Sequence, residues 1–268
     1  MIDIHCHILP DLDDGAQGWD ETIEMCAIAR DDGIHTIVAT PHIKPGVYSP
    51  LKTLISEKVA ELNQRLTIHT SRNHCSPFTV HGSHFTLPVL TILPGADNSF
   101  QPDILKQIEE GTALCLNAIN AINPNNALTL RYVLLELSDY FLFPQVKETI
   151  RKLREKNIVP ILSHPERIAM IQKNYKLLGE FVQAGALSQV TAMSITGEFG
   201  KDIKKFTKTL LTKNLVHIIA SDAHSKDRRP PILSRAVAEA TALLGKDQAE
   251  KMVREIPQAI IEGREVEV

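Results

Sequence analysis

The chain has 268 residues, and its 29 Lys and Arg against 32 Asp and Glu give a formal net charge of -3 with histidine neutral. This near balance argues against a general basic surface for nucleic-acid phosphates or an anionic membrane. With 43% hydrophobic and 23% charged residues, the composition is that of a folded globular protein rather than a disordered one.

Short clusters rich in Ile, Val and Leu alternate with longer amphipathic segments along the chain. In chain order the predicted elements are strand Ile2 to Ile4, helix Asp20 to Asp32, strand Thr36 to Ala39, helix Pro50 to Leu66, strand Thr91 to Leu93, helix Pro102 to Glu110, strand Tyr132 to Leu137, helix Pro144 to Lys156, strand Ile158 to Leu162, helix Lys173 to Ala184, strand Leu187 to Val190, helix Lys201 to Lys213, strand Val216 to Ala220 and helix Ser234 to Leu244. This alternation favours parallel strands with crossover helices. We therefore predict one α/β domain over 1–268, a closed or nearly closed barrel, although an open doubly wound sheet would show the same alternation.

The segment from Thr67 to Leu90 interrupts this rhythm. Turn-forming Ser, Asn, Gly and Pro surround its His69, His74, Cys75, His81 and His84. Because these spacings fit neither a zinc finger nor a tight chelate, we predict a surface insertion near 67–90 rather than a second metal site.

The sequence gives no sign of export or membrane insertion. It begins with strand residues instead of a basic and then apolar leader, and no apolar run approaches the roughly 18 residues that span a bilayer. Cys6, Cys26, Cys75 and Cys115 form no CxxC pair and no C-x₅-R phosphatase signature. We therefore expect a cytoplasmic protein with reduced thiols and no cysteine nucleophile.

Histidines follow four predicted strands at their carboxyl ends. The segments are His5-Cys-His7, Thr40-Pro-His42, Ser163-His-Pro-Glu-Arg167 and Ser221-Asp-Ala-His224. Sites in parallel α/β folds assemble at this edge, because the strand ends and following loops converge there. The sequence therefore predicts that these histidines meet.

The donor types indicate a metal site. Residues i and i+2 of an extended strand end point the same way, so His5 with His7, and Asp222 with His224, can each direct two ligands at one ion. Imidazole with carboxylate suits Mn²⁺, Fe²⁺ or Zn²⁺, whereas the absence of convergent thiols argues against a cysteine-based structural zinc.

Other polar residues near these strands have two interpretations. Asp14 is close enough in sequence to the first histidine pair to supply an oxygen ligand, but the acidic run from Asp11 to Gly15 also fits a solvated turn. His35 and His217 lie before or within strands, where a structural role is favoured.

Two arginines share these strand-end loops. Arg167 lies three residues after His164, and Arg229 lies five after His224. A guanidinium fork matches phosphate oxygens, so arginines beside a metal cluster point to a phosphoryl or other anionic substrate.

The motifs as a set resemble the bacterial protein-tyrosine phosphatases of the PHP (polymerase and histidinol phosphatase) superfamily, in order along nearly the whole chain. They are His5-Cys-His7 with Asp13-Asp-Gly-Ala16, Ala39-Thr-Pro-His42, His164-Pro-Glu-Arg167, Ser188-Gln-Val-Thr-Ala192, Thr196-Gly-Glu-Phe-Gly200 and Ser221-Asp-Ala-His224 with Arg229. The resemblance is closest to the branch encoded in capsular and extracellular polysaccharide gene clusters.

The resemblance implies a distorted α/β barrel of about seven mostly parallel strands that holds up to three divalent ions, most often Mn²⁺, with iron or zinc as alternatives. The implied metal ligands are His5, His7, Asp14, His42, Asp97, His164, Asp222 and His224. Arg167 and Arg229 would hold the substrate phosphate, His42 would also belong to the catalytic set, and Glu166 would orient its neighbours.

The sequence departs from the family pattern at one implied ligand. The family has a metal-bridging glutamate in a Pro-Gly-x-Glu motif, whereas this chain has Asp97 after Gly95-Ala96. Asp97 keeps the charge but is one methylene shorter. Ser99 and Phe100 stand where the family usually has a basic residue.

The activity that the resemblance implies is metal-dependent hydrolysis of phosphotyrosine, on the tail of a tyrosine autokinase that controls polysaccharide synthesis and export. One alternative is a PHP phosphatase of a small phosphomonoester such as histidinol phosphate. The other is a metal-binding, catalytically weak regulator that captures the kinase tail.

Overall fold

The computed structural model describes residues 1–72, 90–117 and 129–266. The predicted insertion near 67–90 lies outside these ranges beyond Arg72, where the second helix ends. Within them, no helix is both long and apolar enough to cross a membrane.

The strands of the described residues form two sheets in which every pairing is parallel. They are β1 (Ile2–Cys6), β2 (Thr36–Ala39), β3 (His42–Ile43), β4 (Thr91–Pro94), β5 (Asp97–Ser99), β6 (Arg131–Glu136), β7 (Ile158–Ser163), β8 (Leu187–Thr191) and β9 (Ile218–Ala220). One sheet has the order β1-β2-β4, and the other has the order β3-β5-β6-β7-β8-β9. The prediction of an α/β fold with parallel strands is confirmed.

Helices connect most of these strands. They are α1 (Trp19–Asp31), α2 (Lys52–Arg72), α3 (Ile104–Glu110), α4 (Val146–Glu155), α5 (Ala169–Lys173), α6 (Lys176–Gln183), α7 (Ala192–Thr196), α8 (Lys201–Thr212), α9 (Ser234–Leu244), α10 (Lys246–Lys251) and α11 (Glu255–Glu262), with a 3-10 turn at Pro165–Arg167. Every predicted strand and helix has a counterpart. The predicted helix from Lys173 to Ala184 corresponds to α6, which begins three residues later at Lys176. The sequence did not predict the helices α5, α7, α10 and α11.

The sequence did not reveal β3 and β5, which are too short and too polar to show a strand pattern. Each follows a break in the preceding strand. Pro41 offers no N–H to a ladder, and a Cβ on Gly95 would lie 2.7 Å from Cγ1 of Val38, so only glycine fits there. After the breaks, His42 and Asp97 pair in register in the second sheet.

The first and last strands lie side by side. Cys6 pairs with Ala223 in a parallel bridge, and the Asp222 N–H donates to the carbonyl of His5 at 2.8 Å. The segments that follow β1 and β9 are therefore neighbours, although they are far apart in sequence.

The apolar residues pack on both faces of the strands. Leu134 and Ile161 belong to an inner cluster, whereas their neighbours Leu135 and Leu162 belong to a larger cluster that includes the helices. Ile256 and Ile260 of α11 join the inner cluster, which also contains the first residues of several strands. Because α11 packs at the amino ends of the strands, the carboxyl ends are left for polar residues.

Candidate metal centre

Seven histidine and carboxylate side chains converge at the carboxyl ends of the strands. Their donor atoms form three groups within which every atom lies within 4.8 Å of the others. The groups are His7, Asp14, His42 and His224; His5, His7 and Asp97; and His42, Asp97 and Glu136. Shared members join the three groups into one centre.

The first group lies toward solvent. The ring of His7 is 3.9 Å from that of His224 and 4.4 Å from that of His42, measured between centroids. Oδ1 of Asp14 lies 3.6 Å from Nε2 of His42 and 3.8 Å from Nε2 of His224. The Asp14 side chain is 54% exposed, so this group forms the open side of the centre.

The second group is fully buried and carries the clearest chemical signal. Nε2 of His5 lies 3.1 Å from Nε2 of His7. Nδ1 of His5 faces Oε1 of Gln189 at 2.8 Å, and Nδ1 of His7 faces Oδ2 of Asp13 at 2.7 Å. Because each Nδ1 faces an acceptor, we assign the ring protons there, and both Nε2 lone pairs then point at one place. Two converging lone pairs repel each other unless a cation lies between them.

Carboxylates complete this pocket. Oδ1 of Asp222 lies 3.4 Å from Nε2 of His5 and 3.6 Å from Nε2 of His7. Oδ2 of Asp97 lies 3.7 Å from Nε2 of His5, and this buried oxygen has no hydrogen-bond partner among the described residues. A buried carboxylate oxygen without a donor fits a metal ion, because leaving it unpaired is costly.

The third group contains a residue that the sequence analysis missed. Nδ1 of His42 lies 3.3 Å from Oδ2 of Asp97 and 3.8 Å from Oε2 of Glu136. Oε1 of Glu136 lies 3.7 Å from Nε2 of His164, so Glu136 joins His164 to the centre. Glu136 ends β6 beside Ser163 of β7. Its signal in the sequence is a single acidic residue at the end of a mostly apolar strand.

Two site residues adopt backbone conformations that are rare without glycine. The φ angle is 33° at His164 and 53° at Asp222. Such conformations cost roughly 1–3 kcal/mol each and persist where the surrounding structure imposes them. Here they turn two side chains from strand ends into the shared centre.

The electrostatics favour a divalent cation. Burial lowers the pKa of His7 well below its ordinary value, and the neighbouring histidines lower it further. Burial also lowers the pKa of His164. Burial raises the pKa of Asp222, but the guanidinium groups of Arg229 and Arg167 act against this, and that pKa lies well below its usual range. Neutral His7 and His164 and an ionised Asp222 have the protonation states that metal ligands need, whereas nearby carboxylates, Asp97 first, raise the pKa of His42 to about 9.

Both predicted phosphate-binding arginines lie at this centre. Nη1 of Arg167 and Nη2 of Arg229 both donate to Oδ2 of Asp222, at 2.8 and 2.5 Å. Their side chains are 22% and 26% exposed, and the buried Nε of Arg229 has no partner among the described residues. Both guanidinium groups are therefore at the centre and partly accessible to solvent.

Glu166 does not join the donor groups. Its buried Oε1 accepts hydrogen bonds from the Thr191 N–H at 3.0 Å and from Oγ of Ser194 at 2.6 Å. It thereby ties the turn that carries Arg167 to β8 and α7.

The fold and the donor set together define an α/β protein with parallel sheets and a candidate metal centre at the carboxyl ends of its strands. Its fold resembles that of histidinol phosphate phosphatase from Lactococcus lactis, with a TM-score of 0.52 and 14% identity over 92% of this chain and 93% of that one. The fold is much more similar to a solved structure that belongs to a study of YwqE from Bacillus subtilis and CpsB from Streptococcus pneumoniae. Those two proteins are described as unique metal-dependent tyrosine phosphatases. For that structure the TM-score is 0.86, with 31% identity over 100% of this chain and 96% of that one.

Residues 1–262 match the family "Capsular polysaccharide synthesis, CpsB/CapC", and the chain belongs to this family. It is 34% identical to the tyrosine-protein phosphatase YwqE of Bacillus subtilis over 229 residues, which are 85% of this chain and 79% of that protein. It is 26% identical to the tyrosine-protein phosphatase CpsB of Streptococcus pneumoniae over 266 residues, 97% of this chain and 98% of that protein. The resemblance identified from the motifs is confirmed.

Proposed function

We propose that this chain is a metal-dependent protein-tyrosine phosphatase that hydrolyses phosphotyrosine monoesters. The observation that carries the proposal is the meeting of Nε2 of His5 and Nε2 of His7 at 3.1 Å, beside a carboxylate that binds Arg167 and Arg229. A cation site next to two guanidinium groups is suited to a phosphate monoester. Family membership and the named activities of the relatives support the same reaction.

We infer that up to three divalent ions bind to the three donor groups, with Mn²⁺ as the first choice and iron or zinc as alternatives. The ligands would be His5, His7, Asp14, His42, Asp97, Glu136, His164, Asp222 and His224. Mixed imidazole and carboxylate donors suit these metals. Bound divalent ions supply Lewis acidity and lower the pKa of water toward neutrality.

Side chains of the protein bind the substrate phosphate and orient the metal ligands. Arg167 and Arg229 bind and orient the phosphate, and their charge stabilises the charge on its equatorial oxygens during hydrolysis. Gln189 and Asp13 fix the proton positions of His5 and His7. No thiol takes part in this scheme.

The protein substrate that we propose is the phosphorylated tail of a tyrosine autokinase, met in the cytoplasm. Support comes from membership of a capsular polysaccharide synthesis family and from the implied branch of the superfamily. A flexible tail also suits a centre whose open side is at the surface, beside the half-exposed Asp14.

We further infer that 1–268 is one domain and that its two sheets are parts of one distorted barrel. After short breaks, β2 leads into β3 and β4 leads into β5, so each pair counts as one bent strand. The bridge from Cys6 to Ala223 sets the first strand beside the last. The barrel would then have seven strands, because β2 with β3 and β4 with β5 each count as one and the other five are single.

The test is hydrolysis of a phosphotyrosyl peptide by protein stripped of metal and then titrated with Mn²⁺. Histidinol phosphate at equal concentration is the comparison substrate. Turnover of the peptide that requires metal and exceeds turnover of histidinol phosphate supports the proposal. Higher turnover of histidinol phosphate would replace it with small-molecule phosphatase activity, and binding of peptide without turnover would replace it with a regulatory role.

A further inference from the structure

Phe199 lies against both arginines of the centre. The guanidinium carbon of Arg167 is 5.4 Å from the centroid of the Phe199 ring, and that of Arg229 is 5.9 Å away. Both distances are within the range of cation–π attraction. One aromatic ring therefore contacts two cationic groups that come from separate loops.

The local sequence explains how this ring is presented. Phe199 lies in the turn between α7 and α8, and the glycines on either side, Gly197 and Gly200, have φ angles of 101° and 102°. The Gly200 N–H closes the turn onto the Gly197 carbonyl at 2.9 Å. A Cβ on Gly200 would meet nothing within 4 Å, so glycine is needed there for its backbone conformation rather than for space.

The remainder of the turn is anchored away from the centre. Nη2 of Arg235 lies 3.0 Å from Oε1 of Glu198, and Nζ of Lys204 donates to the carbonyl of Thr196 at 3.2 Å. Helices α8 and α9 thus each contact a residue close to Phe199 in the chain.

We propose that Phe199 is a positioning residue that holds the guanidinium groups of Arg167 and Arg229 ready for the substrate phosphate. The inference rests on the proposed function, because it assigns phosphate to these two arginines. It adds a residue that binds neither metal nor phosphate.

The Phe199 ring can support the two guanidinium groups without occupying their N–H donors, which Asp222 cannot do. Asp222 holds both guanidinium groups through their N–H donors, and a phosphate needs those same donors. The ring of Phe199 attracts a guanidinium through its π face and needs no hydrogen-bond acceptor for this, so the contact does not compete with phosphate for a charged acceptor as Asp222 does. The arginines can then exchange Asp222 for phosphate without losing their support.

The test uses Phe199→Leu, which removes the ring but keeps an apolar side chain, and Phe199→Tyr, which keeps the ring face. The matched control is Phe206→Leu in α8, whose ring packs against the large apolar cluster. Binding of inorganic phosphate to Mn²⁺-loaded protein is measured by calorimetry, and KM and kcat are measured on a phosphotyrosyl peptide.

For Phe199→Leu we expect phosphate affinity to fall about five- to thirtyfold, the combined effect of two cation–π contacts. The change on the peptide should be mainly in KM. Phe199→Tyr should stay within about threefold of wild type, because the contacts survive. Phe206→Leu should bind phosphate as wild type does.

A double-mutant cycle separates positioning from a general structural role. In an Arg229→Met background one of the two contacts is already lost, so Phe199→Leu should have a smaller effect than in wild type. An equal effect in both backgrounds, or unchanged phosphate affinity in Phe199→Leu, would overturn the inference. Wild-type protein that binds phosphate but does not hydrolyse the peptide would reject the proposed function alone, and calorimetry would still decide the role of Phe199.

Discussion

The carboxylate of Asp13 accepts a hydrogen bond from Nδ1 of His7 at 2.7 Å, with both side chains almost fully buried. Asp13 also accepts the backbone N–H of His42 at 2.8 Å. The next residue, Asp14, instead approaches His224 from the solvent side. Two adjacent aspartates therefore have different tasks, since one orients an imidazole and the other is free to bind an ion.

Removal of the Asp13 charge should weaken metal binding even though Asp13 is outside the donor groups. We expect Asp13→Asn to lower Mn²⁺ affinity about 10- to 100-fold, because the orientation and basicity of His7 depend on this carboxylate. Calorimetric titration of metal-free protein measures the change. Asp11→Asn is the control, since Asp11 is exposed with a φ of 58° that asparagine tolerates; equal affinities in both variants would refute the orienting role.

An Asp97→Glu variant tests whether aspartate, which is one methylene shorter than the family's glutamate, suits this centre. Asp97 is fully buried, and its Oδ1 is already 3.4 Å from Oγ of Ser163. An added methylene should therefore cost about 1–3 kcal/mol in the free energy of unfolding. We expect Asp97→Glu to be less stable in urea and no more active than wild type. A large gain of activity in this variant would instead identify the natural chain as a weakened phosphatase.

Glu136 should contribute to metal occupancy. Burial raises the pKa of its carboxyl, and the charge of Asp97 raises it further, so a bound cation is the natural partner for its ionised form. We expect Glu136→Gln to retain less Mn²⁺ per chain in elemental analysis after dialysis. The exposed Glu155→Gln of α4 serves as the reference, and equal metal contents would exclude Glu136 from the centre.

Chelators and thiol reagents should act differently. Cys6, Cys26 and Cys115 are buried, and burial raises the pKa of Cys26 to about 12 and that of Cys115 to about 11. We expect iodoacetamide to leave phosphatase activity intact and a chelator to abolish it until Mn²⁺ is restored. Cys75 lies outside the described residues, so the assay is repeated in Cys75→Ser. Inactivation of that variant by alkylation would argue for a thiol mechanism.

His217 should make the protein less stable in acid. Burial lowers the pKa of His217 to about 4, and its Nδ1 accepts the Ser188 N–H at 2.9 Å. The unfolded chain, with an ordinary histidine pKa, takes up the proton first, so the stabilisation is full above about pH 6.5 and is lost as the pH falls toward 4. Between pH 7 and pH 5 this residue should remove about 2 kcal/mol.

Urea unfolding of metal-free wild type and His217→Asn at these two pH values measures that difference. Oδ1 of asparagine can replace Nδ1 as the acceptor but does not titrate. The variant should therefore lose less stability than wild type on acidification. Parallel pH dependences would show that His217 does not contribute.

Much of the fold was predictable because most of its strands and longer helices have a local pattern. The apolar run from Ile158 to Leu162 is typical of a strand that is buried on both faces of a parallel sheet. The apolar residues of α4 recur on one side, as in an amphipathic helix. By contrast β3 and β5 have only two and three residues. Their pairing depends on the breaks at Pro41 and Gly95 and on neighbouring strands, which a local pattern does not contain.

By itself the sequence determined which donors exist and on which strand ends they lie. His5, His7, His42 and His224 converge as expected, because the carboxyl ends of parallel strands meet at one edge. Only the tertiary structure decided which atoms face each other. Gln189 is 184 residues from the His5 ring that it orients, and Glu136 enters the centre through strand pairing. Hydrogen bonds and metal ligation act over about 3 Å, so they are fixed by packing between distant segments rather than by spacing along the chain.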